Sequence, residues 1–253
     1  MLTGLLNDVP AFLGFALQGD WIAAPSADDL FRMLLRWAHF VAGIAWIGML
    51  YFFNLVNVPL MKELDGPTKG KVIPKLMPKA LYYFRWGAVV TVLAGVIYYA
   101  VYIIPSDAQA AGAGYHSWLG LWLLIVLVTY AVIYLLIQKV NDGRVLAICI
   151  AVLTIIMSCV MLNLFKGNKT IAIGIGGGLG VIMLLNVWGI IWRAQKKIIA
   201  WTADNADNGT PIPPESAKIA RIAFLASRTN AWLSLPMLLL MGASHGDYIM
   251  FIK

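Results

Sequence analysis

Cysteine is scarce in this chain, and the way it is used excludes one kind of site. The 253 residues include only 2 cysteines and no CxxCH motif, which excludes a covalently attached c-type haem within the chain. Cys149 and Cys159 lie in one apolar stretch, where a helix would separate them by about 15 Å. That separation prevents a disulfide between them. We interpret both as small buried hydrophobic residues.

Charge is scarce as well. Charged residues make up only 12% of the chain and hydrophobic residues 61%, with a mean hydropathy of +0.80. This composition excludes a soluble domain and predicts an all-α, polytopic membrane protein that packs its helices into one bundle. Runs of about 20 apolar residues are long enough to cross a bilayer as helices. Six such spans are expected, at about 30–58, 80–104, 117–138, 145–165, 170–193 and 229–251.

Several motifs of enzymes and transporters are also missing. The spans contain no pair of carboxylates, which disfavours a proton-coupled transporter. The chain has neither HExxH nor GxSxG, which disfavours the familiar intramembrane hydrolases. The glycine-rich string at 174–180 follows no strand, so we interpret it as a surface for close helix packing rather than a nucleotide-binding turn. A redox reaction in this protein would therefore need a cofactor.

The N-terminal segment is not typical of a signal peptide. It lacks basic residues, and Asp8 and Pro10 interrupt its apolar run. We expect an interfacial segment over residues 1–29 and a single transmembrane domain over 30–253. Ser26, followed by acidic residues, is expected to cap the first spanning helix.

The basic residues predict how the protein is oriented. The net charge is +7, but in a membrane protein the position of the charge matters before any attraction to nucleic acid, and we expect no nucleic-acid partner. Most lysines and arginines fall in the loops 62–79, 139–144 and 193–228. The positive-inside rule makes these loops cytoplasmic, which places both termini on the outer, periplasmic side of a bacterial inner membrane.

Polar residues line one face of the first span. Arg32, Arg36, His39, Gly43 and Trp46 follow one another at steps of three and four, which places them on the same side of a helix. A histidine in hydrocarbon is costly and suggests a function. The arginines suit a carboxylate, either of haem or of an anionic substrate. The alternative is a packing seam whose arginines reach the headgroups.

The other two histidines offer possible partners for His39. His245, near the end of the last span, is expected at a depth similar to that of His39, so the two imidazoles could ligate a haem iron from neighbouring helices. His116 lies at the mouth of the third span. His116 could contact the cofactor or serve as an interfacial anchor. The alternative role for His245 is a hydrogen bond to a backbone carbonyl at the interface.

Four sequence blocks carry a family resemblance. They are LLRWAHFVAGIAWIGMLYFFNL, MPKALYYFRWGAVVTVLAGVIYY, NVWGIIWRAQKKIIA and ARIAFLASRTNAWLSLPMLLLMGASH. Together they resemble the membrane domain of bacterial urate hydroxylases, the urate oxidase N-terminal family. The pattern H-x6-W-x-G-x-x-Y, here His39, Trp46, Gly48 and Tyr51, also resembles a block of the bacterial membrane protoporphyrinogen oxidases, where the histidine is associated with haem b.

The resemblance implies oxidation of urate, with electrons passing to a C-terminal cytochrome c domain on the outer face. This chain ends at Lys253 without that domain. We therefore expect a redox subunit that binds haem b through His39 and His245, with Trp46, Arg36 and His116 around it. Its expected partners are the lipid bilayer, other membrane subunits and a c-type cytochrome. The alternatives are a non-catalytic accessory subunit of a respiratory or photosynthetic complex and, less favoured, a small-molecule permease.

Overall fold

The computed structural model describes residues 26–244, and within that range the structure is helical, without strands. This confirms the all-α fold. Six continuous helical rods follow one another, and we label them α1 to α6. They are Ala27–Glu63, Gly66–Ala110, Tyr115–Lys139, Gly143–Leu164, Asn168–Asn208 and Ser216–Ala243.

Five rods, α1 to α5, are long and apolar enough to cross a membrane, judged by length and composition. The sixth rod has 28 residues, but its first turns carry charged side chains, and its expected apolar span runs beyond Ser244, outside the described residues. The sides on which the termini lie remain predictions. The expected interfacial segment 1–29 lies almost wholly outside the described residues as well.

The described residues divide into two compact units between Leu34 and Leu35. In the first, Ser26 Oγ accepts a hydrogen bond from the Asp29 backbone N–H at 3.1 Å, which confirms the predicted helix cap. Arg32 pairs with Asp28 at 2.9 Å, one turn away along the helix. Arg32 therefore has a carboxylate partner within the protein. All further features belong to the second unit.

The first span was expected to end at about residue 58, but the first rod continues past Pro59. It contains a π-helical segment, Phe52–Asn57, and then continues as an α-helix over Val58–Glu63. Pro59 lies in the first turn of that last piece, directly after the π-helical segment. The backbone pairing already changes there, so a residue without an N–H interrupts less than it would in a regular helix.

The second rod also begins earlier than expected. The second span was expected to start at about residue 80, but α2 starts at Gly66 and contains Pro74 and Pro78. Asp65 caps this start, because its Oδ1 accepts a hydrogen bond from the Thr68 backbone N–H at 2.7 Å. Hydrogen bonds from Thr68 lower the pKa of the Asp65 carboxyl. A strong cap and further helical residues outweigh the two internal prolines.

The last two differences concern a loop and the start of α6. The expected second and third spans left residues 105–116 between them as a connection, but Ile104–Ala110 is helical and only the short turn before Tyr115 connects α2 to α3. The last rod begins at Ser216 rather than near residue 229. In both places a helix extends through polar residues beyond the apolar window used to predict it, because hydrogen bonding, and not hydropathy, decides where a helix ends.

Glycines allow α5 and α6 to pack closely. A Cβ on Gly176 would lie 3.2 Å from the Leu240 Cβ and 3.3 Å from the Met237 carbonyl oxygen. This contact confirms the packing role predicted for the glycine-rich string. Near the other end of the bundle, the Arg85 guanidinium lies 3.9 Å from the centre of the Trp192 ring. Arg85 therefore packs among aromatic rings of the protein, where cation–π attraction holds it.

Candidate functional site

A cavity of about 760 Å³ lies between α1, α2, α5 and α6. This volume is within the range of cofactor and ligand sites. Its lining is mostly apolar, and its glycines come from all four rods: Gly43, Gly48, Gly95, Gly176, Gly177, Gly180 and Gly242. Because glycine has no side chain, these positions leave space open inside an otherwise close-packed bundle.

One wall of the cavity is an antiparallel contact between α1 and α2. A Cβ on Gly87 would lie 3.3 Å from the Trp46 Cβ, and one on Gly43 would lie 3.6 Å from the Thr91 Cγ2. A Cβ on Gly95 would lie 2.9 Å from the His39 Cε1 and Nδ1. Small residues therefore meet the predicted polar face of α1 at three successive turns, which allows the backbones to approach closely.

His39 is held at this wall by a hydrogen bond. Its Nδ1 lies 2.8 Å from the Thr91 carbonyl oxygen. A carbonyl only accepts, so Nδ1 carries the proton, and in the neutral ring the lone pair belongs to Nε2. Gly95 leaves room for the ring in this position. A metal-ligating histidine is typically oriented in the same way, by its second nitrogen donating to a carbonyl.

Trp46 contributes a second polar group to the lining. Its side chain is 1% exposed, and its indole N–H has no acceptor among the described residues. A buried donor without a partner costs roughly 1–3 kcal/mol. A bound group with an acceptor atom near this indole would recover that free energy.

Arg36 also lines the cavity, and its side chain is exposed. Among the described residues, it is the one lysine or arginine in the lining. An arginine at the mouth of an apolar cavity suits an anionic group, because a guanidinium binds carboxylates in a bidentate manner. His39, Trp46 and Arg36 are thus brought together at one cavity.

The remaining two predicted residues are not placed there. His116 is exposed at the start of α3, where its ring lies 4.8 Å from the Tyr115 ring, and it is not among the lining residues. His245 lies outside the described residues. The lining does include the thioethers of Met237 and Met241 on α6, and methionine sulfur is another axial ligand found in haem proteins.

The residues present fit a haem better than a bare metal ion. Among the described residues, no group of three or more histidine, cysteine, aspartate or glutamate side chains is arranged to hold a metal. The cavity instead offers one oriented imidazole, apolar glycine-rich walls, an indole donor and an arginine. This combination suits a flat, largely apolar macrocycle with carboxylate substituents.

Sequence reasoning overlooked the α2 side of the site. Gly87, Thr91 and Gly95 recur every fourth residue, a spacing that places small residues on one helix face. In a membrane helix this pattern indicates close contact with a neighbour. The signal was therefore visible in the sequence, although it does not reveal that His39 is on the opposing helix.

The chain matches a known protein family. Residues 25–251 match the urate oxidase N-terminal family, which covers most of the chain and both helices of the His39 wall. No curated protein and no solved structure gives a match.

Proposed function

The chain belongs to the urate oxidase N-terminal family, and on that premise we propose that it is a urate-hydroxylase-like redox subunit of the membrane. In this proposal the cavity between α1, α2, α5 and α6 holds haem b. The subunit passes electrons to a separate c-type cytochrome. Other membrane subunits complete the assembly, and the cavity faces the outer side.

The observation that carries the proposal is the orientation of His39. The hydrogen bond to the Thr91 carbonyl selects the tautomer whose lone pair is on Nε2, and the contact with Gly95 fixes the ring against α2. A histidine that served only as packing inside an apolar bundle would not require a cavity of about 760 Å³ beside it. Ring orientation, tautomer and adjacent space together favour a ligand to iron.

Each lining residue then has a definite part. His39 would bind the iron through Nε2, while its Nδ1–H donates to the Thr91 carbonyl oxygen. The second ligand is His245, with Met241 as the competing candidate from the lining. Arg36 attracts a carboxylate at the mouth of the cavity, and Trp46 donates its N–H to an acceptor inside it. The apolar walls exclude water, and haem b, when bound, supplies a one-electron Fe(III)/Fe(II) couple.

The test is an oxidised-minus-reduced absorbance spectrum of the purified protein, with pyridine haemochrome quantitation. About one haem b per chain is expected, since the lining offers one oriented histidine per cavity. A colourless, folded preparation that was reconstituted with haemin and still gave no Soret band would contradict the proposal.

The substrate requires a separate measurement. Urate is a two-electron donor, with water supplying the added oxygen and two protons released, and each haem accepts one electron. Urate added to the oxidised protein without cytochrome c is therefore expected to reduce two haems per urate and give the reduced spectrum. Oxidised cytochrome c added afterwards is expected to reoxidise them. If haem is present but urate leaves the spectrum oxidised, the protein is an electron carrier for a different donor. If the colourless protein co-purifies with a coloured complex and tolerates replacement of His39, the accessory-subunit alternative is correct.

A further inference from the structure

Next to the cavity along α1, α5 and α6, a second group of polar side chains lies inside the bundle. Tyr51 and Asn54 of α1, Asn186 of α5, and Ser227, Thr229, Asn230 and Ser234 of α6 make up this group, which we call the polar seam. Asn54 is 2% exposed, and Asn186, Thr229, Asn230 and Ser234 are 0% exposed. None of these residues lines the cavity.

The seam connects three rods through hydrogen bonds. Tyr51 Oη lies 3.0 Å from Ser234 Oγ, and the Asn54 amide nitrogen donates to Ser227 Oγ at 3.0 Å. The Asn186 side-chain amide nitrogen donates to Asn230 Oδ1 at 2.8 Å. On α6, the positions 227, 230 and 234 fall on one helix face, so these contacts follow one another along about 10 Å of the rod.

The network leaves several oxygens without a donor. The side-chain carbonyl oxygens of Asn54 and Asn186 and the hydroxyl of Thr229 have no hydrogen-bond partner among the described residues. In Asn54 the amide nitrogen already donates to both Ser227 and the Leu50 carbonyl, so its own oxygen remains an acceptor. Polar groups inside a membrane bundle must be satisfied internally, and water is the small donor that does so.

The backbone around the seam is also unusual. Asn54 lies within the π-helical segment Phe52–Asn57, and Asn186 directly precedes another π-helical segment, Val187–Ile191. Both segments pack against α6. π-Helical turns are rare and occur often at functional sites, because they widen the helix and alter carbonyl pairing. Two such turns on different rods therefore face the same polar stretch of α6.

We propose that ordered water molecules occupy the polar seam and, with the hydroxyls of Tyr51, Ser227 and Ser234, form a hydrogen-bonded chain that ends at the cavity. Tyr51 lies one turn beyond Ile47 of the cavity lining, and Ser234 one turn before Met237. Ser234 Oγ donates to the Ala231 carbonyl oxygen at 2.7 Å, so the Tyr51 hydroxyl is the donor in their contact. The proposal does not depend on haem.

A pair of identical substitutions tests whether the seam holds water. Thr229→Val removes an unpartnered hydroxyl inside the seam, and Thr170→Val removes one outside it, at the start of α5, where Thr170 is 1% exposed. If the Thr229 hydroxyl binds water, its loss lowers the melting temperature by about 2–4 °C. Loss of a dry, unpartnered hydroxyl at Thr170 leaves the melting temperature unchanged or raises it. Equal shifts in the two variants, in either direction, would overturn the proposal.

A second measurement uses the unmodified protein. X-ray radiolysis produces hydroxyl radicals from bound water, and these oxidise the side chains beside it. Tyr51 is expected to be oxidised several-fold more than Met161, which is 1% exposed, outside the seam and intrinsically reactive. Labelling of Tyr51 no greater than that of Met161, in protein reconstituted into bilayers, would show that the seam is dry.

Discussion

The α1–α2 and α5–α6 contacts both depend on glycine, yet they differ in what opposes the glycine. On α2, Gly95 faces the His39 imidazole, a rigid ring held by the Thr91 carbonyl. On α5, Gly176 faces the Met241 methyl group, the end of a flexible side chain. The same absence of a side chain thus orients a chemically reactive group in one contact and only lets two helices approach in the other.

The difference has a general lesson for membrane bundles. Both contacts border the same cavity, but only the α1–α2 contact includes a polar group whose direction is fixed. Close packing alone does not indicate a site. A site is indicated where a titratable ring, its hydrogen-bond acceptor and adjacent space occur together.

The largest expected effect comes from removing the imidazole. His39→Ala is expected to abolish the Soret band, because the proposed ligand to the haem iron is lost. His116→Ala is the matched control, since His116 is exposed and does not line the cavity. Absorbance spectra of the two purified variants provide the measurement. A His39→Ala protein that retained a haem stoichiometry near one would contradict the ligand assignment.

A smaller effect is expected from filling the space beside the ring. In Gly95→Ala the new Cβ would lie 2.9 Å from the His39 ring, whereas in Gly177→Ala it would lie 3.8 Å from the Met241 Cε. Overpacking costs about 1–3 kcal/mol, which lowers the melting temperature by several degrees. Gly95→Ala should show this loss together with weaker haem binding, measured by haemin titration. Both variants gain the same helix propensity, so equal behaviour would show that the His39 ring is not constrained by α2.

Charge at the mouth should matter less. Arg36→Met keeps an apolar stem but removes the guanidinium, and we expect about fivefold weaker haemin binding, as one exposed ion pair predicts. Arg32→Met is the control, because Arg32 pairs with Asp28 at 2.9 Å. In haemin titrations, high salt should reduce the loss of affinity caused by Arg36→Met. Arg32→Met should leave the affinity unchanged at both low and high salt. An Arg36→Met protein with unchanged affinity would remove this residue from the site.

The smallest effect on stability is expected at the cap of α2, which belongs to neither of the two glycine contacts. Asp65→Ala is expected to lower the melting temperature slightly at neutral pH, because the Thr68 N–H loses its acceptor. The pKa of Asp65 is lowered by hydrogen bonds from Thr68, so its stabilising contribution is present above its ordinary pKa and disappears as the pH falls through the lowered value. The difference from wild type should therefore vanish in acid. Asp65→Asn keeps an acceptor that does not titrate, so its stability relative to Asp65→Ala should not depend on pH.

Sequence was sufficient for the features that follow from composition and local pattern. Apolar run length predicted the all-α bundle, and Ser26 was correctly predicted as a helix cap. The face containing Arg36, His39 and Trp46 was also visible, because helical spacing is regular over α1. These inferences use only neighbours along the chain.

What sequence did not reveal depends on contacts between distant segments. Helix α1 continues past Pro59 because a π-helical segment precedes it, and no residue type marks such a segment. His39 bonds to the backbone carbonyl of Thr91, and every residue has such a carbonyl. The residue type at position 91 therefore does not identify it as the partner of His39. The pairing of His39 with Gly95 requires knowledge that α1 and α2 are adjacent and antiparallel.

The π-helical segments also change the angular phase of the rods that contain them. Each of α1, α2 and α5 contains one, at Phe52–Asn57, Tyr99–Ile103 and Val187–Ile191. One extra residue per turn rotates everything downstream by roughly 100° relative to an uninterrupted helix. A helical wheel drawn straight through such a rod consequently assigns the wrong face to the residues beyond it. Within α1, His39 and Val58 lie on opposite sides of the π-helical segment, so one helical wheel cannot give the directions of both side chains.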